Sequence, residues 1–185
     1  MPAAGPVRWG YHRLTDQWAA RLVDGAHIRA GDLVLDVGAG SGALTAPLVE
    51  AGARVVAIEL HAERARSLRA RFAGSTVKVV RADAADLRLP GRPFRVVANP
   101  PFGVSTALLR RLLSPGSRLV SADLVLPLHV ARRWTSPSAP GYNRWCRSFD
   151  VRVIARLPRN ALTPAPPLQV AILRIERAWQ RDRHT

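Results

Sequence analysis

The chain has 185 residues, 48% of them hydrophobic, and 28 Lys and Arg stand against 13 Asp and Glu, a formal net charge of +15. That length suits one α/β domain with a substantial core, and the charge is the footprint of a nucleic-acid binder. No run approaches the ~18 apolar residues of a membrane span, no signal pattern opens the chain, and the lone Cys146 excludes an internal disulfide or a Cys-based metal site, so a soluble, cytoplasmic, metal-free protein is expected.

Residues 1–14 read as a flexible basic segment, rich in Pro, Ala and Gly at its start. A helix over 15–24 follows, with Leu14, Trp18 and Leu22 at helical spacing and Thr15 or Asp16 as N-cap. It is expected to pack across the mouth of the site built by the next loop. The apolar strand 33–37 runs into Gly38-Ala39-Gly40-Ser41-Gly42 and then a helix over 43–51. Alternating glycines let the backbone turn sharply and approach a ligand at the carboxyl end of a parallel strand. G-x-G-x-G departs from the dinucleotide fingerprint G-x-G-x-x-G, which favours a cofactor without pyrophosphate. S-adenosylmethionine is the candidate, with Asp36 near its amino-acid end; a plain strand-to-helix turn is the alternative.

Strand 54–59 ends in Glu59, about twenty residues past the loop, where an acid reaches both ribose hydroxyls. After a helix over 61–72, strand 77–81 leads to Asp83, placed to accept from the cofactor's adenine amine. Taken singly, each acid reads as a surface carboxylate. In this order, each just past a predicted strand, they are specific. Leu60 and Ala84 complete the candidate cofactor set.

Strand 94–98 closes on Asn99-Pro100-Pro101-Phe102. Asn99 offers a side-chain carbonyl, Pro100 a main-chain carbonyl with no competing N–H, and Phe102 a flat face. Such a pocket suits a planar conjugated amine, either an exocyclic base amine or a glutamine amide. The alternative is a strand meeting a proline turn. A helix over 104–113 with a Leu108, Leu109, Leu112, Leu113 stripe, a strand 118–126 and a short helix Leu128–Trp134 come next. A loop over 135–141, a strand Phe149–Leu157, a rigid connection at 162–167 and a last strand over 168–175 suggest a hairpin-like pair closing the sheet. Seven strands alternating with helices imply a mostly parallel sheet covered on both faces, within one domain over 15–178 and ahead of a basic tail, 179–185, that Trp179 would anchor.

These motifs resemble the erythromycin-resistance (Erm) ribosomal RNA adenine N6-methyltransferases and their relatives that dimethylate small-subunit rRNA. The likeness covers 11–177: the loop at 36–45, Glu59, Ala82-Asp83, 99–102, and Pro164-Ala165-Pro166 before the last strand. It implies a Rossmann-like class I S-adenosylmethionine-dependent methyltransferase with an antiparallel strand near its end. Asp36, Gly38, Gly40, Gly42, Glu59, Leu60, Asp83, Ala84 and Asn99 would bind the cofactor. Asn99, Pro100 and Phe102 would hold the adenine and assist transfer to its amine.

Three departures stand out. Gly10-Tyr11-His12-Arg13 replaces the family's Gly-Gln-Asn-Phe, Pro100 replaces an aliphatic residue, and a short form without the C-terminal helical domain is expected. The implied partner is ribosomal RNA, at a single-stranded or loop adenine of the large subunit before full ribosome assembly. A monomer is expected, and the outcome would be macrolide-type resistance. Lys78 is the only lysine, so Arg supplies the charge; GC-rich codon bias explains Arg over Lys but not the scarcity of acids. Candidate RNA contacts are Arg8, Arg13, Arg110, Arg111, Arg132, Arg133, Arg144 and Arg147, each otherwise a solvated surface charge. Competing readings are methylation of guanine N2 or a glutamine amide, a small-subunit rRNA dimethylase, and a non-catalytic RNA-binding protein.

Overall fold

The structure, a computed structural model, describes residues 12–178. Seven strands form one sheet in the order β4 (Lys78–Arg81), β3 (Arg54–Glu59), β2 (Leu33–Val37), β5 (Phe94–Ala98), β6 (Leu119–Pro127), β9 (Val170–Arg177), β7 (Phe149–Leu157). From β4 to β6 the pairing is parallel, and β9 runs antiparallel between β6 and β7. This is the expected architecture.

Successive residues of the central strands fall on opposite faces, as the pleat requires. Leu35, Val96 and Leu124 join a cluster with Leu108, Leu109 and Leu112 of α4 (Ser105–Leu112) and Trp134 of α5 (Leu128–Trp134). Val34, Val97 and Val125 join the other, with Leu22 of α1 (Asp16–Gly25) and Leu48 of α2 (Thr45–Glu50). A third, smaller cluster sits under α3 (Ala62–Arg71), where Leu68 packs on Ala39 and Ala57.

The antiparallel insertion is pinned by an ion pair that no local motif announces. Arg174 of β9 faces Asp123 of β6 in register. It donates from Nε and Nη2 to the two carboxylate oxygens, both at 2.7 Å, and from Nη2 to the Gly25 carbonyl at 2.6 Å. Burial pushes the Asp123 carboxyl up, against the hydrogen bonds and charge of Arg174 that pull it down.

Several expectations need correction. The N-terminal segment is not loose throughout: β1 (Arg13–Leu14) pairs antiparallel with β8 (Leu162–Thr163), so the predicted connection at 162–167 is partly strand. Two-residue strands carry no periodic signal, which is why the sequence hides them. The predicted helix over 15–24 does not cover the site; α1 packs on α2 and the sheet, and none of its residues lines the cavity below Asn99. A one-turn helix, α6 (Tyr142–Trp145), follows the predicted loop at 135–141, where the sequence suggests no element. Arg8 and the tail at 179–185 lie outside the described residues.

Candidate active site

The carboxyl ends of the parallel strands, where α/β sheets seat ligands, surround a cavity of about 270 Å³. Glu59 and Leu60 enter it from β3, Asp83 and Ala84 from the end of β4, and Asn99, Pro100 and Phe102 from the end of β5. His12 lines it from the N-terminal segment. A smaller recess of about 20 Å³, lined by Asp36, Gly38, Asn99 and Arg13, adjoins it. Gly40 and Gly42 shape the same turn without lining the larger cavity.

The glycine turn is built for close approach. Gly38 has φ +78°, and a Cβ there would sit 2.9 Å from Pro101 Cδ and 3.3 Å from Pro100 Cα. The loop and the Asn-Pro-Pro turn therefore touch only because this residue has no side chain.

Glu59 accepts from the Gly40 N–H and the His61 N–H, both at 2.9 Å, which locks its carboxylate beneath the loop. Each oxygen retains a lone pair for a further donor. Asp83 accepts from the Ala85 N–H at 2.8 Å and stays exposed. Leu60 is 51% exposed, one of two large hydrophobic side chains so placed among the described residues, and it lines the cavity. An exposed aliphatic side chain at a cavity wall is a surface for a flat apolar ring.

Asp36 is 1% exposed. Thr45 donates to its Oδ2 at 2.6 Å, while Oδ1 is buried with no partner. Desolvation, reinforced by the charge of Glu59, pushes its carboxyl up to about 7 despite the Thr45 hydrogen bond.

Asn99 has a defined orientation. Its Nδ2 donates to the His12 carbonyl at 2.6 Å, and its Oδ1 is a buried acceptor with no partner. A buried orphan acceptor costs about 1–3 kcal/mol when left unsatisfied, so it points to a donor that the folded chain does not supply. Beside it the Phe102 ring stacks with His12, centroids 5.5 Å apart and planes inclined by 27°. His12 in turn donates from Nδ1 to the Pro164 carbonyl at 2.7 Å. In the sequence His12 stands out only as a departure from a motif; no local signal marks its role, which rests on the pairing of β1 with Leu162–Thr163.

The expected arginines disperse. Arg13 folds back, with Nε donating to Ser41 at 3.0 Å and Nη2 paired with Asp16. Arg111 is a structural staple rather than a free cation: it donates to the carbonyls of Ala85 and Leu87 and pairs with Asp86 at 2.5 Å. Arg110 and Arg144 line one groove beyond the end of α4, and Arg147 precedes β7. By topology that is the amino-terminal end of the parallel strands, away from Asn99. Arg132 and Arg133 stand exposed on α5, which leaves the carboxyl end of β6. Arg64 also lines the cavity and went unnoticed in the sequence, where it sits among the other arginines of α3.

The cavity thus offers acceptors, two carboxylates and a flat apolar wall. It suits a ligand rich in N–H and O–H groups with a flat apolar ring.

Residues 7–184 match the sequence model of the ribosomal RNA adenine dimethylase family. The chain is 34% identical over 146 residues to an rRNA adenine N-6-methyltransferase of Corynebacterium diphtheriae, covering 78% of this chain and 57% of that relative. It is 36% identical over 183 residues to the ribosomal RNA small subunit methyltransferase A of Caulobacter vibrioides, covering 90% and 69%. Among solved structures, the 23S rRNA methyltransferase ErmE is similar with a TM-score of 0.78 and 28% identity, over 92% of this chain and 70% of that one. The chain therefore spans little more than half of the first of these relatives.

Proposed function

The chain belongs to the ribosomal RNA adenine dimethylase family, and from that premise we propose that it methylates the N6 amine of an adenine in 23S rRNA. The observation that carries this reading is the buried, unpartnered Asn99 Oδ1 next to the Phe102 ring, at the wall of a cavity lined by Glu59 and Asp83. S-adenosylmethionine, when bound, supplies an electrophilic methyl group on a sulfonium sulfur.

The residues present fit that donor. Glu59 would hold its ribose hydroxyls, Asp83 its adenine amine, and Leu60 and Ala84 the flat of its ring. Asp36 and the turn at Gly38, Gly40 and Gly42 would take its amino-acid end, where an ammonium group would favour the ionised form of Asp36.

The target amine is a weak nucleophile because its lone pair is delocalised into the purine. Asn99 Oδ1 and the Pro100 carbonyl would accept its two hydrogens and favour a pyramidal nitrogen with a localised lone pair. Phe102 would stack the base. Catalysis is then positioning and electrostatics, with no strong base needed before transfer. The base must leave its stack to enter, so the substrate is a single-stranded or loop adenine, reached before the ribosome is fully assembled.

The likeness to ErmE supports the large-subunit choice. A methyl group on such an adenine would crowd a macrolide–lincosamide–streptogramin B site and remove a hydrogen-bond donor, giving resistance. Arg132 and Arg133 are the RNA contacts this reading favours, in a monomeric protein. The test is to map methylated nucleotides in rRNA from cells with and without the protein. A protein-dependent N6-methyladenine in 23S rRNA is expected; a mark confined to small-subunit rRNA or to guanine N2 would overturn the assignment.

A further inference from the structure

A second cavity, of about 290 Å³, opens at the same end of the sheet as Asn99. The ends of β7 and β6 and the start of β9 share a rung there: Leu157 pairs with Val170, and Val170 with Pro127. From that register and a strand spacing of about 4.8 Å, the rung of Val170 and Leu157 lies roughly 12 to 16 Å from Asn99. The two sites are also joined through the chain. His12, which accepts from Asn99, donates to Pro164, and β1 pairs with Leu162–Thr163 at the edge of this groove.

Its walls have one sign of charge. Arg156 and Arg159 line it, both exposed and both without a hydrogen-bond or ion-pair partner among the described residues, and no acid lines it. By contrast Arg152, on the same strand, is neutralised by Asp150 and Glu176. Pro166, Pro167 and Leu168 add an apolar lining to the same groove, with Gln169. Rigid, cationic and partly apolar, this groove matches a single nucleic-acid strand, which presents phosphates on one side and base faces on the other.

We propose that this groove binds the RNA strand flanking the target adenine, with Arg156 and Arg159 on its phosphates and the apolar lining against a neighbouring base. The inference rests on the RNA reading of the active site and adds where the strand runs once its base has entered. Two arginines at this end of the sheet supply a grip that Arg111, spent on the fold, and Arg144 and Arg147, at the far end, do not.

The test compares the wild-type protein with Arg156→Gln/Arg159→Gln, using a short fluorescent single-stranded RNA that contains one adenine. The control is Arg54→Gln/Arg118→Gln, which removes the same charge at the amino-terminal ends of β3 and β6. Single-strand contacts contribute about 0.7 each to the slope of log affinity against log salt, so the groove variant should lose about 1.4 in slope and roughly 25-fold in affinity near 0.1 M salt. Arg156→Lys/Arg159→Lys should restore most of the slope, which a packing role would not. In methyl transfer the groove variant should raise KM with little change in kcat. Equal slopes for the groove variant and the wild type, or equal losses in groove variant and control, would overturn the proposal. Binding is read without catalysis, so a wild-type protein that binds RNA but transfers no methyl group would fail the methylation reading and not the groove.

Discussion

Asn99 and Asp36 are two polar side chains that the fold leaves short of a partner, and both border the same recess. In Asn99 the shortage is an acceptor awaiting an N–H. In Asp36 it is a carboxyl that the folded chain prefers neutral, its pKa raised to about 7 chiefly by burial. An acid raised on folding binds more protons in the native state than in the unfolded one. The Asp36 contribution to stability is therefore most favourable below the ordinary carboxylate range and falls as pH climbs from about 4 towards 7. Asp36→Asn keeps the hydrogen bond from Thr45 and removes the buried charge. In the absence of donor it should melt higher than the wild type at pH 8 and at nearly the same temperature at pH 4. Thermal melts across that range check the sign; equal differences at both pH values would contradict it. Both residues were legible in the sequence from their place at strand ends, but the neutral tendency of Asp36 was not, because it depends on what covers it.

At the level of elements, the motif strands could be read because each is a short apolar run that stops at a residue with chemistry. Val37 to Gly38, Ile58 to Glu59 and Ala98 to Asn99 all mark that change from core to ligand edge. The leucine stripe was equally plain: Leu108, Leu109 and Leu112 of α4 and Leu113 at its C-cap are all buried. What stayed hidden were long-range pairings with no local pattern. Arg13 and Leu14 pair with Thr163 and Leu162 across most of the chain, and Arg174 finds Asp123 across two strands. His12 was read as a departure from a motif, whereas here it anchors Asn99 and stacks on Phe102. The glycine turn yields a prediction at this scale. Gly38→Ala puts a Cβ into Pro101 at 2.9 Å and forces an L side chain into φ +78°. The cost should be about 1–3 kcal/mol in denaturant unfolding, with donor affinity falling at least tenfold by calorimetry. Wild-type affinity in that variant would remove the loop from the binding site.

Across the whole molecule, positive charge and chemistry are distributed unequally. The +15 surplus is spread over many exposed arginines, whereas the acids that matter gather at the carboxyl ends of β2, β3 and β4. On the proposed reading a basic surface around a pocket with two carboxylates would separate two tasks, attraction of a polyanion and selection of N–H and O–H groups. On the proposed reading the donor would lie over β2, β3 and β4 and the base at β5, and the sheet order sets the cationic groove two and three strands further on. The most direct measurement incubates purified wild-type protein and Asn99→Ala with rRNA and isotopically labelled S-adenosylmethionine, then identifies the labelled nucleoside by mass spectrometry. N6-methylated adenosine is expected from the wild type and none from the variant, with donor affinity nearly unchanged. Label in guanosine, or undiminished adenosine methylation by Asn99→Ala, would contradict it.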